Sequence, residues 1–401
     1  MLNNLVLVFN FGSSSLKFSI LNPDTQVKYL FGIVECLHLP QSSITWYHKT
    51  CKNYKIIGNN ISHLEALNFI INNIFFIHKQ IIDNVQAIGH RVVHGGKELK
   101  KTVIINNSII KKIKESIIYA PLHNPVNLLG IQASLKYFPH LSKRNVAVLD
   151  TSFFRSMPEE SYLYAIPYNF YLNFGIRRYG AHGMSHLYVS QVTSEILKKE
   201  FNTLNIITCH LGSGSSVSVI VNGVCIDTSM GFTPTEGLVM GTRSGDLDSS
   251  IIFFMHKIIG MNLDDIQEVL IKKSGILGLS NGITSDFRYI EKKYYHNKES
   301  QRSVNVFCHR LSKYIASYTT LLNGRLDAIV FTGGIGENSV LVRRLTILKL
   351  SLIGVQLDIA LNESIKSGKY GFINKKNTTP VLVIPTNEEL IIAQETIKMF
   401  R

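Results

Sequence analysis

Two ten-residue stretches two hundred residues apart constrain this chain more than anything else in it: 'FGSSSLKFSI' near the start and 'LGSGSSVSVI' past the middle. Each follows an apolar run, places Gly and Ser at its centre and leaves on alternating apolar residues. Leu5 to Leu21, 'LVLVFNFGSSSLKFSIL', and the later 'IITCHLGSGSSVSVIVNGV' therefore each predict a strand, a turn and a second strand. Their likeness predicts an internal duplication and two related halves. A third strand runs into a glycine turn in 'LDAIVFTGGIGENS', and a fourth, 'NVAVLD', ends at Asp150, followed by Thr151 and Ser152.

Residues 62–82 and 302–323 carry apolar side chains at spacings of three and four, the period of a helix with one buried face. Strands alternating with helices make the chain α/β. No proline-rich or low-complexity linker marks a boundary, so the duplication places it: residues 1–150 with 387–401 form the first domain and 151–386 the second. The last segment, 'TNEELIIAQETIKMF', reads as a helix with Thr386 and Asn387 as caps and Glu388 and Glu389 in its first turn, where carboxylates suit the helix dipole.

With 401 residues, 45% hydrophobic and 17% charged, the chain is long enough for two cores. Its formal charge of +14 raises the question of a nucleic-acid or membrane surface. The lysines are scattered among Asn and Ile, as in 'IINNSIIKKIKESII', and form no one-sided stripe, so neither partner is expected. Cys36, Cys51, Cys209, Cys225 and Cys308 include no C-x-x-C pair, which fits a reducing cytoplasm better than a disulfide framework or structural zinc. 'LVLVF' is too short for a signal segment, and no uncharged apolar stretch approaches the roughly 18 residues of a membrane span, so a soluble protein is expected.

Gly/Ser turns between strands can aim backbone N–H groups and hydroxyls at one anion, and two such turns suggest two ends of a polyphosphate. The plain alternative is that Gly and Ser are simply turn formers. There is no G-x-x-x-x-G-K-[ST], no G-x-G-x-x-G after a strand and no H-R-D loop, so P-loop, Rossmann and protein-kinase readings are disfavoured. Arg91 in 'GHRVVHGG' and Arg243 in 'TPTEGLVMGTRSGDLD' are cations among glycines and apolar residues, where burial is costly without an anion. A structural ion pair would serve as well as a ligand. His182 and His186 in 'RRYGAHGMSH' stand beside glycines, either as satisfied structural histidines or as catalysts.

Taken together, 'NFGSSSLKFS', 'GHRVVHGG', 'APLHNP', 'RRYGAHGMSH', 'HLGSGSS', 'DTSMGFTPTEGLVMGTRSGD', 'FTGGIGENS' and 'IPTNEELIIAQET' have the order and spacing found in the acetate kinase family. The resemblance runs from Asn10 to Thr396. It implies two duplicated ribonuclease-H-like domains of the actin-like ATPase fold, with the active site in the cleft between them. It also implies reversible transfer of the ATP γ-phosphate to acetate, giving acetyl phosphate and ADP, with Mg²⁺ (or Mn²⁺) and a homodimeric state. Asn10 and Glu388 then resemble the magnesium-holding positions. Lys17, Ser13 and Ser15 resemble groups near the phosphates. Arg91 and Arg243 resemble the clamp on carboxylate and phosphoryl group, Asp150 the catalytic aspartate and His182 the histidine that stabilises the transition state. His210, Leu211, Gly212, Ser213 and Gly214 resemble the phosphate loop. Asp286, Phe287 and Arg288, with Gly333, Gly334, Ile335, Gly336 and Glu337, resemble the adenosine site. Val93, Leu122, Ala181 and Pro234 resemble the acyl pocket.

The chemistry implied by that resemblance needs no general base, because a carboxylate with a pKa of about 4 is already ionised at neutral pH. The obstacle is an anion approaching a polyanion, which two arginines, a histidine and Mg²⁺ reduce during direct in-line transfer. Asp150 would orient Arg91 or a magnesium-bound water. The chain departs from the family at Phe154 (usually His), Ser213 (usually Asn) and Ala181 (usually Phe), and has one residue more before Asp286. Ala181 leaves two readings. Either the acyl pocket is larger and propionate is used within about tenfold of acetate, or a bulky neighbour fills the gap. A kinase of another short acid, a non-catalytic ATPase module and a basic nucleic-acid binder are the competing functions.

Overall fold

The computed structural model describes residues 4–12 and 14–401. Ser13, expected near the phosphates, lies outside the described residues. The chain divides into two compact units, Met1–Phe153 with Asn387–Arg401, and Phe154–Thr386.

In the first unit an eight-stranded sheet grows from the expected hairpin. Its strands are β1 (Leu5–Phe11), β2 (Leu16–Leu21), β3 (Lys28–Glu35), β4 (Ser42–His48), β5 (Cys51–Gly58), β6 (Val85–Val92), β7 (Val103–Ile104) and β8 (Asn145–Leu149). Their order is β5-β4-β3-β2-β1-β6-β8-β7. Strands β1 to β5 form an antiparallel meander, whereas β6 and β8 run parallel to β1. Every residue of β1 and β8 is buried, as expected of strands covered on both faces.

Residues 62–82 do form helix, but in pieces. A capping box between Ser62 and Glu65 starts His63–Phe69, Ile70–Phe75 then widens to i→i+5 bonding, and Lys79–Ile82 is a single further turn. The C-terminal helix Glu388–Lys398 packs on β1 and β6, and Gly89 allows the close approach: a Cβ there would meet Thr396 Oγ1 at 2.3 Å. Asn387 occupies the N-cap of this helix, but its side chain makes no capping bond. The expected cap is therefore corrected: the Thr386 N–H donates to Glu337 and its hydroxyl to Ser185, so neither side chain caps the helix.

The second unit repeats the scheme with β9 (Ile206–Leu211), β10 (Ser215–Val221), β11 (Val224–Thr228), β12 (Ala328–Thr332), β13 (Gly371–Phe372) and β14 (Val381–Val383). The order is β11-β10-β9-β12-β14-β13. An antiparallel β9–β10–β11 run is followed by β12 and β14 parallel to β9, matching β1–β2–β3 followed by β6 and β8. The duplication seen in two short motifs thus extends to strand order and direction. Its main core is closed by the helix Lys298–Tyr318, capped by Asn297, whose Val304, Phe307, Leu311 and Ile315 point inward at helical spacing. That helix begins before the expected 302–323 segment because Asn297 supplies the start signal.

Candidate active site

In the first unit, four of the expected residues meet around one guanidinium. Asn10 lies near the end of β1, Arg91 near the end of β6, Asp150 directly after β8 and Glu388 at the start of the C-terminal helix. Parallel neighbours in a sheet end at the same edge, so three distant sequence segments deliver their side chains together. Arg91 Nε and Nη2 donate to Asp150 Oδ2 at 3.1 and 2.6 Å, and Nη1 donates to Asn10 Oδ1 at 3.2 Å. Glu388 Oε2 accepts from Asn10 Nδ2 at 3.1 Å and lies 3.8 Å from Arg91 Nη1. Burial works against the Arg91 charge, but Asp150 and Glu388 outweigh it and hold its pKa above the ordinary guanidinium value.

Two carboxylates and one amide are hard oxygen donors suited to Mg²⁺. Among the described residues no cluster of three or more His, Cys, Asp or Glu side chains could by itself cage a metal. The donor set therefore fits an ion that keeps most of its waters and takes other oxygens from substrate.

The ends of β1 and β6 are held by asparagines of the helix Asn124–Tyr137. Asn127 accepts from the Val93 N–H and donates to the Phe11 carbonyl, while Asn124 brackets the N–H and C=O of His94. These braces were not among the expected site residues, although they fall in and just after 'APLHNP'. Lys17 is exposed on β2 opposite Asn10, and Ser15 is partly exposed in the turn. Val93 is buried and Leu122 exposed.

The second unit gathers another group around the β9–β10 turn. His210 and Leu211 end β9, and Gly212, Ser213 and Gly214 make the turn, with Gly212 N–H donating to the Gly214 carbonyl at 3.0 Å. The Arg243 loop docks on it through Gly241 N–H to the Ser213 carbonyl, 2.9 Å. His182 occupies the N-cap position of the helix Gly183–Leu197 with φ 62°, a left-handed conformation rarely adopted by a residue with a side chain. Its ring stacks on His210 with centroids 4.2 Å apart. A Cβ built on Gly214 would lie 3.2 Å from both His182 Nε2 and Arg243 Nη2, so these two groups converge on the turn from its open side.

Unlike Arg91, Arg243 pairs with no carboxylate among the described residues. Among the described residues its side chain makes one hydrogen bond, from Nη1 to the Pro234 carbonyl at 2.5 Å, and burial lowers its pKa to about 10. Arg343 provides the contrast: also buried, it donates to Asn362 Oδ1 and to the carbonyls of Gly336, Glu337, Asn362 and Ile365. Arg343 is satisfied by its own fold, whereas most of the Arg243 N–H donors have no partner among the described residues. Its loop is pinned by Asp246, which accepts from the Gly237 N–H and the Tyr314 hydroxyl and pairs with Arg310.

Gly333 to Glu337 lie in the short helix Gly333–Asn338 after β12. Gly333 has φ 75° and abuts the Leu211 carbonyl, Gly334 faces open space, and Gly336 and Ile335 pack toward the core. The Glu337 carboxylate accepts from the backbone N–H groups of Gly333 and Thr386 at 3.0 and 3.1 Å, bracing the turn. Asp286 caps the helix Phe287–Lys293 and pairs with Arg288, which is exposed, while the Phe287 ring lies in the core beside Phe307.

Ala181 is buried with Met230 and Met240, and the Phe154 ring rests against Gly180. Ala181 therefore has Met230 and Met240 as buried apolar neighbours.

The pattern of the Acetokinase family matches residues 5–394. The chain is 58% identical over 400 residues to the acetate kinase of Buchnera aphidicola from Schizaphis graminum, covering 100% of this chain and 99% of that one. It is 53% identical over 399 residues to the acetate kinase of Escherichia coli K12, with full coverage of both. The chain belongs to the acetokinase family. Among solved structures, a propionate kinase from Francisella tularensis aligns with a TM-score of 0.90 at 40% identity, covering 98% of this chain and 99% of that one. The Porphyromonas gingivalis acetate kinase aligns at 0.87 and 38%, covering 99% and 100%. The two repeated sheets are therefore those of the duplicated actin-like ATPase fold.

If the open side of the β9–β10 turn receives an anion, adding one methyl there should obstruct it. Gly214→Ala, whose Cβ would crowd the His182 ring and the Arg243 guanidinium, is expected to lower kcat/KM for ATP at least about tenfold while the urea midpoint stays close to that of the unmodified chain. Unchanged steady-state kinetics would remove the turn from the site.

Proposed function

We propose that this chain transfers the γ-phosphoryl group of ATP to acetate, reversibly, giving acetyl phosphate and ADP. The observation that carries the reading is Arg243, a partly buried guanidinium without a carboxylate among the described residues that converges with His182 Nε2 on the Gly212–Gly214 turn. Such a charge is costly until a polyanion meets it, and a nucleotide triphosphate is the anion the family uses.

In this reading the turn N–H groups, His182 and Arg243 receive the phosphates. Asp286, Arg288 and the Gly333–Glu337 turn face the adenosine. Arg91, held by two hydrogen bonds to Asp150, orients the acetate carboxylate and its approach to phosphorus. Asn10 and Glu388 would hold Mg²⁺ largely through its waters, and the ion would supply charge neutralisation at the phosphates. One carboxylate oxygen forms a bond to the γ-phosphorus as the bond to the ADP oxygen breaks, and no proton changes place. Equatorial charge is stabilised by N–H groups already in position. The burial of Met230 and Met240 with Ala181 supports a preference for acetate over longer acids.

All five cysteines are free, which supports the reducing cytoplasm as the compartment. Among the described residues no helix is long and apolar enough to cross a membrane. A homodimer is supported by two helices of the second unit with no buried residue. Ser250–Lys257 exposes Ile251, Phe253 and Phe254, and Asn169–Phe174 exposes Phe170, Leu172 and Phe174. Light scattering should give twice the 45.2 kDa chain mass, and a monomer mass at micromolar concentration would contradict this assembly.

The catalytic reading is tested by trapping acyl phosphate as hydroxamate with ATP, Mg²⁺ and acetate, propionate or butyrate. Acetate should give the highest kcat/KM, with propionate lower by about 1–3 kcal/mol in transition-state binding. Arg91→Ala and Arg243→Ala should each lower turnover at least about a hundredfold, the cost of about 3–4 kcal/mol for one preorganised donor. Absence of acyl phosphate with every acid, or near-normal turnover in both folded variants, would refute the assignment.

A further inference from the structure

Behind His182 lies a row of buried polar groups that the phosphoryl-transfer reading has not used. His182 Nδ1 is 3.0 Å from Ser216 Oγ, Ser216 Oγ is 2.7 Å from His186 Nε2, and His186 Nδ1 is 2.7 Å from Thr208 Oγ1. Thr208, His186 and Ser216 are each fully buried. They come from three elements: Thr208 from β9, Ser216 from β10, and His186 from the helix whose N-cap position His182 occupies. The spacing of four residues puts His186 one turn beyond His182 on the same helix face.

A hydroxyl has one hydrogen to give, so the row runs in one of two senses, set by where Thr208 sends its hydrogen. Thr208 can donate to His186 Nδ1 at 2.7 Å or to the Ser218 carbonyl at 3.5 Å, and the shorter contact takes the hydrogen. His186 then carries its proton on Nε2 and donates to Ser216 Oγ. Ser216, having accepted there, gives its own hydrogen to His182 Nδ1. His182 is left with its proton on Nε2, the nitrogen 3.2 Å from the Gly214 Cβ position. A neighbouring row repeats the device. Thr386 Oγ1 donates to Ser185 Oγ at 2.8 Å, Ser185 lies 2.7 Å from His210 Nδ1, and His210 Nε2 is 3.8 Å from the Gly212 Cβ position. Ser185, accepting from Thr386, keeps its own hydrogen available for His210 Nδ1.

We propose that Thr208, His186 and Ser216 are positioning residues that hold His182 as the Nε2–H tautomer, so that a neutral ring donates a hydrogen bond to the transferring phosphoryl group. The inference rests on the reading that His182 faces that group. The tautomer of an imidazole is set by the partner of its other nitrogen. In the opposite sense, with Thr208 donating to Ser218, a neutral His182 would present a lone pair to phosphate oxygens and repel them.

The test uses the full chain with its histidines labelled with ¹⁵N. The His182 signals, assigned through His182→Gln, should show a protonated Nε2 and an unprotonated Nδ1 in the resting protein. Ser216→Ala should mix the two tautomers and lower kcat at least about tenfold, with KM for ATP changed less than about threefold, since Ser216 itself reaches His182 and not the ligand. Thr208→Val should shift the tautomer balance in the same direction, and Thr208→Ser, which keeps the hydroxyl, should restore it. A His182 protonated on Nδ1 in the unmodified protein, or a Ser216→Ala enzyme with unchanged tautomer and turnover, would overturn the relay. Retention of full turnover by His182→Gln would instead overturn the reading of His182 on which the relay depends.

Discussion

Two anions must meet in this reaction, so the chain has to hold positive charge that its own carboxylates do not cancel. That requirement separates three of its buried or partly buried arginines. Arg343 gives its N–H groups to an amide oxygen and four backbone carbonyls and is occupied by the fold. Arg91 is fixed by Asp150 and Asn10, which keeps it charged and oriented while drawing off part of its field. Arg243 has one carbonyl and no carboxylate among the described residues. A guanidinium left in that state weakens the resting fold and becomes favourable only with a ligand, which is how a binding site stores its preference for an anion.

The surrounding structure serves to keep these charges in place. Strand β6 carries Arg91 to an edge shared with Asn10 and Asp150, and Asn127 ties the Phe11 and Val93 backbones to one helix. The loop of Arg243 cannot swing freely, because Asp246 closes it and Ser213 receives a backbone bond from Gly241. His182 is held at an uncommon backbone conformation and backed by the Ser216 hydroxyl. Each feature favours a donor already aimed over one that must reorganise during the transfer.

Much of this was legible in the sequence because its signals are local. Gly and Ser between alternating strands announced both hairpins, and their repetition announced the two related sheets. The gathering of Asn10, Arg91, Asp150 and Glu388 depends on contacts up to 378 residues apart, which periodicity cannot reveal and which only the resemblance suggested. The meander β3 to β5 went unread, since Lys, Asn and His interrupt its alternation. Thr386 was misjudged as a cap because its hydroxyl is taken by Ser185 in three dimensions. Ser216 and Thr208 gave one faint signal: hydroxyl residues on strands whose neighbours are almost all apolar and buried.

The account turns on Arg243 being an unsatisfied cation kept for function, and its replacement by an apolar side chain of similar length tests that directly. In urea titrations without nucleotide, Arg243→Met should unfold at a higher midpoint than the unmodified chain, a gain of about 1–2 kcal/mol in stability, because it removes a partly buried charge that no carboxylate among the described residues balances. A lower midpoint for Arg243→Met would mean that the guanidinium already stabilises the resting chain, and the claim that it waits for an anion would fail.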